Sequence, residues 1–394
     1  MNINCLVSFN TMMSKALNIA VNTRLLLEDK LEGIGWFTYE TLKRITQKHP
    51  EHNFFFIFDR PYSEKFIFSK NVTPIVLFPP ARHPFLYFWY FEFALPAALR
   101  RIKADYFIST DGYISLSTSV KTLNVIHDIN FEHRPKDLPW LARYYYKLFF
   151  PKFAKKASRL ATVSEFSKRD IIETYGINAD KIDVVYNGCN LRYVPASDEE
   201  QRKTRYRYSN SRPYFLFVGS INPRKNTKNL LTAFDEFKKT YKSDIKLLLV
   251  GQVMWNDADF KDTYHNMKFK HDVNFLGRVS SSELKNVIAS ALALTYVPFF
   301  EGFGIPILEA MYCDVPVITS NVTSMPEVAG DACLLVNPNS TFDIIDCMLT
   351  IAKDVPLRNR LIEKGRIQRE KFSWEKTADK LWDSFEKMIS ENKA

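Results

Sequence analysis

Residues 291–320 constrain what this chain can fold into more tightly than any other segment. An apolar run from Ala291 to Val297 is followed by Glu301-Gly302-Phe303-Gly304, then Ile305-Pro-Ile-Leu-Glu309-Ala-Met-Tyr312, then a second apolar run, Pro316-Val-Ile-Thr-Ser320. Short apolar runs bounded by turn residues read as buried strands, and the segment between them reads as a helix entered through a glycine turn. Strand, glycine turn, helix, strand is the unit of an open α/β sheet, where ligands bind at the carboxyl edge beside such turns. Glu301 and Glu309 stand eight positions apart, a little over two helical turns, so the first belongs to the turn and the second to the helix. Glycines let backbone N–H groups approach an anion or a sugar hydroxyl, and a helix start favours negative charge. By spacing alone, two acids near a helix start are ordinary end charges. Their setting between two buried strands makes them candidate ligands for a sugar nucleotide, which offers both an anion and hydroxyls.

The same alternation runs through the rest of the chain. Ala16–Leu27 reads as the first strand, and Gly33-Ile-Gly35 as the turn into an amphipathic helix; a lone G-x-G fits a phosphate loop and a plain tight turn equally. Asn53–Phe58, Asp105–Ser109, and Leu123–Val125 running into His127-Asp128 are further strands. Ser164 is an N-cap candidate after the strand ending at Val163. Lys181–Gly188 closes a first domain, and the polar stretch Pro195–Arg212 reads as a linker. A second domain opens with Pro213–Gly219, a strand feeding a loop that carries Arg224 and Lys225, then a helix over 227–241. Ile245–Gly251 and Val273–Val279 are its next strands, a helix covers 282–291, and Ser373 caps a last amphipathic helix to Ile389. Residues 1–15 stand apart: either translation starts at Met12 or Met13, or they add an edge strand.

With 394 residues, 46% hydrophobic and 25% charged, the chain is ordinary globular material, long for one core and comfortable for two. No run approaches the ~20 apolar residues of a membrane span, and no secretory signal opens the sequence, so a cytoplasmic location is expected. Cys5, Cys189, Cys313, Cys333 and Cys347 lack C-x-x-C or His partners at ligand spacing, which supports neither a disulfide framework nor a metal site. The net charge of +10 suits nucleic acid, an anionic membrane or a phosphate-bearing substrate. No nucleic-acid motif is present, which favours the latter two. Two segments bear on the membrane: the aromatic run His83–Phe93, whose default role is burial and whose alternatives are an interface or an acceptor groove, and the basic helix 138–156.

The segment from Tyr296 to Pro338, with Glu301-Gly-Phe-Gly-Ile-Pro-Ile-Leu-Glu309, Pro316-Val-Ile-Thr, Pro326-Glu-Val-Ala-Gly-Asp331 and Leu335-Val-Asn-Pro338, resembles the donor half of the retaining family 4 glycosyltransferases and carries their E-x7-E pattern in full. The resemblance covers nearly the whole chain after Lys15. It implies GT-B architecture: two Rossmann-like, doubly wound parallel-sheet domains facing across a cleft, over 1–195 and 213–372, with a terminal helix over 373–394 crossing back to the first. It implies transfer of a hexose, mannose from GDP-mannose above others, from a GDP- or UDP-linked donor to a glycan or lipid-linked glycan, with no cofactor and no metal. Gly33 and Gly35 would face the donor diphosphate, and His127 the donor sugar. Glu301 would bind the sugar with the amides of Gly302, Phe303 and Gly304, while Glu309 would hold the ribose and Val279 the base. After Gly219, Ser220 stands where many members have arginine, so Arg224 beside Lys225 would supply the cation; both would steady the departing diphosphate. Peripheral contact with an anionic inner membrane face follows from the charge and the aromatic run, and no nucleic-acid partner is expected.

Three rivals remain at this point. A phosphorylase or synthase of the same architecture would use phosphate or a small sugar as acceptor. A non-catalytic binding subunit would keep the fold but lose the acids, against Glu301 and Glu309. A dinucleotide oxidoreductase would need G-x-G-x-x-G after a first strand with an acid ~20 residues on, which is absent from the sequence.

Overall fold

A computed structural model describes residues 16–28, 31–253 and 258–391; the expected extension over 1–15 lies outside them. Its first half holds strands β1 (Asn18–Asn22), β2 (Asn53–Phe58), β3 (Val72–Val76), β4 (Tyr106–Ser109), β5 (Lys121–Val125), β6 (Arg159–Thr162) and β7 (Ile182–Val184). They form one sheet in the order β3-β2-β1-β4-β5-β6-β7, with every neighbouring pair parallel. Between them run α1 (Gly33–Lys48), α2 (Pro84–Trp89) joined to α3 (Leu95–Arg101) by a π-helical turn over Tyr90–Ala94, α4 (Asn130–His133), α5 (Trp140–Lys156) and α6 (Glu165–Tyr175).

The second half opens with α7 (Asp198–Ser209) and holds β8 (Tyr214–Val218), β9 (Lys246–Val250), β10 (Val273–Gly277), β11 (Ala293–Tyr296), β12 (Val317–Ser320) and β13 (Leu334–Val336). These form a second parallel sheet in the order β10-β9-β8-β11-β12-β13. Its helices are α8 (Thr227–Thr240), α9 (Ala258–Asn266), α10 (Ser281–Ala289), α11 (Ile305–Tyr312), α12 (Met325–Ala329), α13 (Thr341–Lys353) and α14 (Val355–Arg369). A last helix, α15 (Trp374–Ser390), packs on α1, β5 and β6 of the first half.

Each sheet is wound outward from a central strand. β1 lies between β2 and β4, and β8 between β9 and β11, so the strand order reverses at β1/β4 and at β8/β11. A crevice opens at the carboxyl ends of such a pair, where neighbouring connections leave in opposite directions. All five residues of β8 are buried, as expected where helices cover both faces of a parallel sheet and no polar face is left to alternate.

Two sequence expectations give way. The first strand is shorter than 16–27, because Thr23 turns the chain out of the sheet after its N–H reaches the Ile57 carbonyl at 3.0 Å. The expected linker 195–212 contains the helix α7, started by a reciprocal capping box between Ser197 and Glu200 and tied to the second domain by the Tyr208 hydroxyl donating to Glu283 at 3.0 Å.

Candidate active site

The chain leaves β8 through Gly219 and makes a single 3₁₀ turn, Pro223–Lys225, whose start is capped by the Asn222 side chain accepting from the Lys225 N–H at 3.2 Å. Asn226 stops the turn in the left-handed region, φ 60°, and its buried amide donates to the carbonyls of Val297 (3.0 Å) and Pro338 (2.8 Å). The loop after β8 is thereby pinned to the loop after β11, so the two cations meet the first acid. Arg224 Nη1 donates to the Phe300 carbonyl at 2.9 Å and to Glu301 Oε1. Lys225 Nζ donates to the same Oε1 and to the Tyr296 hydroxyl at 2.5 Å.

The electrostatics follow from this crowding. Burial alone would push the Glu301 carboxyl up, but the charges of Lys225 and Arg224 outweigh it and hold the group at about 2. Lys225 is pulled down to about 8 by burial, against the attraction of Glu301. Arg224 sits above its ordinary value: burial opposes its charge and Glu301 overrides it. The result is a permanently ionised acid with two cations on one oxygen, at the second sheet's switch point.

Glu309 lives in opposite conditions. Gly304, with φ 98°, starts α11 in a conformation that side chains rarely adopt, and a Cβ there would stand 2.6 Å from Met325 Cε. Pro306 in the first turn fixes the helix direction. Glu309, one turn on, is pushed up to about 7 by burial, which the Tyr193 hydroxyl and the Arg192 charge only partly offset. The two acids of one motif therefore differ in protonation at neutral pH, and their environments separate their roles.

The first domain faces this site closely. Gly302 lies against the end of β5: a Cβ on it would be 2.6 Å from the His127 carbonyl oxygen and 2.9 Å from Asp128 Cβ. The Gly302 carbonyl accepts from the hydroxyls of Ser164 (2.7 Å) and Ser167 (3.3 Å), so the N-cap of α6 also bonds across the cleft. His127 Nε2 donates to the Thr110 carbonyl at 2.8 Å, and its ring meets the edge of Phe37. Burial lowers its pKa, which leaves a neutral imidazole with Nδ1 as its acceptor. Gly33 opens α1 opposite Ile305 of α11, whereas Gly35 is buried against the Leu25 carbonyl.

Other candidates are dispersed. Val279 lines a cavity of about 870 Å³, with Leu31, Trp36, Arg192, Arg278 and Trp374 among its walls; Glu301 and the two cations do not line it. Arg192 bridges the two places, its guanidinium 5.0 Å from the Trp36 ring centre while its charge reaches Glu309. The Phe303 side chain is buried against Tyr186 and Phe372, so only its backbone can serve a ligand. Sequence reasoning missed Tyr296, Arg192, Tyr193 and Glu327. Glu327 accepts from the backbone N–H groups of Glu165 (2.8 Å) and Phe166 (3.2 Å), capping α6 from the other domain. Its place in Pro326-Glu-Val-Ala-Gly was visible; its partner was not.

Two doubly wound parallel-sheet domains with both switch points turned to one cleft are the GT-B class of glycosyltransferases. Solved structures agree on the fold: a Rickettsia africae glycosyltransferase superposes with a TM-score of 0.72 at 18% identity, covering 95% of this chain and 99% of that one. Anabaena Alr3699/HepE, solved in complex with UDP-glucose, superposes at 0.74 and 15% identity, covering 94% and 100%. Residues 31–193 match the family described as Glycosyltransferase Family 4, and residues 198–368 the one described as Glycosyl transferases group 1. An Escherichia coli protein named O-antigen chain mannosyltransferase B is 33% identical over 71% of this chain and 73% of its own length. O-antigen chain mannosyltransferase RfbU of Salmonella typhimurium is 32% identical over 54% and 56%. The chain belongs to the family 4 glycosyltransferases.

Proposed function

We propose that this glycosyltransferase moves mannose from GDP-mannose to a hydroxyl of a glycan or lipid-linked glycan, with retention at the anomeric carbon. The observation that carries the reading is Glu301 held ionised between Arg224 and Lys225 at the switch point of the second sheet. A nucleotide sugar brings a diphosphate, which competes for the two cations, and hexose hydroxyls, which can donate to the freed carboxylate. Arg224 can bind two diphosphate oxygens at once and Lys225 acts as a point charge. As the bond from the anomeric carbon to the diphosphate breaks, both neutralise the negative charge that grows on the leaving group. The new bond to the acceptor oxygen forms on the same face, and the acceptor proton passes to the departing phosphate oxygen. Glu309 accepts from the ribose, Val279 offers backbone to the base, and His127 lies by the sugar. The mannosyltransferase names of the two sequence relatives support the choice of sugar. The UDP-glucose complex of a structural neighbour keeps a UDP-linked donor as the second reading.

The test is thermal stabilisation by GDP, UDP, ADP and their sugars, since a ligand of the native state alone raises its melting temperature. GDP and GDP-mannose are expected to stabilise, with the shift lost in Lys225→Ala and Glu309→Ala. No shift from any nucleotide would replace the reading with a non-catalytic subunit.

A further inference from the structure

The short helix α4 carries a histidine that the donor site does not use. Asp128 Oδ1 accepts from the Asn130 N–H at 3.0 Å and starts the turn, Phe131 packs into the core 4.9 Å from Phe150, and Glu132 accepts from the Tyr175 hydroxyl of α6 at 3.1 Å. These anchors set His133 at the exposed end of the turn. Its Nε2 lies 2.6 Å from Asp170 Oδ1 of α6, and its ring stacks on Phe300 with centroids 5.3 Å apart. Phe166 of α6 meets the edge of the same Phe300 ring at 5.6 Å.

The two partners differ in exposure. The His133 side chain is 42% exposed and that of Asp170 9%. Asp170 Oδ2 is buried without a hydrogen-bond partner among the described residues, a cost that calls for a reason. An ionised carboxylate only accepts hydrogen bonds, so Nε2 carries the proton and the neutral ring offers Nδ1 as an acceptor in a fixed direction. The groups that fit a nucleotide donor, Arg224, Lys225, Glu309 and Val279, all belong to the second domain, and Arg224 holds the Phe300 carbonyl at 2.9 Å. The Phe300 ring lies against the first domain, stacked with His133 and one residue from Glu301. Arg134 lies alongside, its guanidinium 5.0 Å from the Phe299 ring. A hydrogen-bond acceptor and a guanidinium therefore border Glu301 on the first-domain side. A sugar hydroxyl can donate to such a nitrogen, whereas an ionised phosphate or carboxylate has no proton to offer.

We propose that His133, held by Asp170, binds through Nδ1 a hydroxyl of the acceptor sugar next to the one that attacks. No proton is asked of this pair: the attacking hydroxyl gives its proton to the departing phosphate oxygen, and the hydrogen bond to Nδ1 fixes the orientation of the sugar that carries it. His133 touches the substrate, and Asp170 acts through it as a positioning residue. The role as acceptor site rests on the transfer reading, but sugar binding at His133 is measured without a donor.

The experiment is saturation-transfer NMR on the whole protein with the methyl α-glycosides of mannose, glucose, galactose and N-acetylglucosamine, with and without GDP. Proton–nitrogen spectra of histidine-labelled protein accompany it, since the chain has only 7 histidines to assign. Wild type is expected to show His133 unprotonated at Nδ1, to bind at least one glycoside, and to shift that nitrogen on binding. His133→Gln keeps a donor for Asp170; it is expected to weaken glycoside binding and to raise the KM of that glycoside as acceptor by about fivefold, the loss of one hydrogen bond, with GDP affinity unchanged. Asp170→Asn can donate to Nε2 and so admits the other tautomer: a proton is expected to appear on Nδ1, with a similar loss of sugar binding. No glycoside bound by wild type, a wild-type ring protonated at Nδ1, or binding unchanged in His133→Gln would overturn the proposal. Binding lost in His133→Gln with the transfer KM unchanged would also overturn it, leaving a sugar site that is not the acceptor's. If no nucleotide stabilises the protein, the transfer reading fails by itself, because glycoside binding at His133 is scored separately.

Discussion

Lys225 carries its charge at a cost, and the cost predicts that removing it stabilises the protein. Its amine falls from 10.5 to about 8 through burial, against the pull of Glu301; at ~1.4 kcal/mol per pH unit this is ~3 kcal/mol against folding at neutral pH. Because the folded-state value lies below the unfolded one, the penalty is complete below about 8 and disappears as pH rises towards 10.5. Lys225→Met removes the penalty and keeps the one-to-one pair of Arg224 with Glu301. It also strips the buried Tyr296 hydroxyl of its lysine donor, which costs ~1 kcal/mol. The net is ~2 kcal/mol of stabilisation, a rise in melting temperature of roughly 4–8 °C for a domain of this size. Under the transfer reading the same change removes a charge-assisted contact to the donor diphosphate, ~1.5–3 kcal/mol or roughly 10–150-fold in affinity. Calorimetry with and without GDP separates the two effects: the variant melts higher alone and gains less from nucleotide, and its advantage narrows above pH 8 as the wild-type amine discharges. A variant that melts below wild type without nucleotide, or an advantage that ignores pH, would show that the buried Lys225 charge does not oppose folding.

Further predictions concern the acids and the contact between domains. Glu301→Gln leaves two buried cations without their counter-charge, so it is expected to destabilise by ~3 kcal/mol, in contrast to Lys225→Met, and to abolish transfer; calorimetry and a donor-consumption assay check both. Glu309, raised to about 7 by burial, contributes stability below its unfolded value near 4.5 that is lost as pH rises through 7. Glu309→Gln is expected to erase that slope in the melting temperature, and the tightening of nucleotide binding from pH 6 to 8 with it. Gly302→Ala puts a methyl against the His127 carbonyl, where backbone cannot yield; transfer is expected to fall at least tenfold while stability drops by ~1–3 kcal/mol in a chemical melt. His127→Ala is expected to lower kcat by roughly tenfold or more with a smaller change in nucleotide affinity, measured by initial rates and titration.

What could be read from the sequence depended on whether the signal was local. β8 was legible because a strand buried on both faces is an unbroken apolar run, and the E-x7-E segment because its turn, helix and flanking strands are consecutive. The helix α7 was not, since only Thr204 and Ser209 of it are buried and no apolar stripe marks it; a capping box and pairs such as Glu199 with Lys203 hold it instead. The aromatic run 83–93 gave no choice between core and surface, because the π turn divides it and buries Tyr90 and Phe91 while exposing Trp89 and Phe93. Around the site, Arg224 and Lys225 were readable as cations but not as partners of Glu301, because their meeting depends on Asn226 pinning two loops distant in sequence. Arg192 and Tyr193 beside Glu309, and Glu327 across from α6, are products of the same folding.

We propose ionised Glu301, with Arg224 and Lys225, as the group that serves transfer from a nucleotide sugar with retention. This role is tested by the proton NMR spectrum of the product formed from GDP-mannose and a glycan acceptor, by wild type and by Lys225→Met, whose fold is expected to be the more stable. An α-linked mannosyl product is expected from wild type, and a severely reduced yield from the variant. A β-linked product, or a Lys225→Met protein as active as wild type, would contradict it.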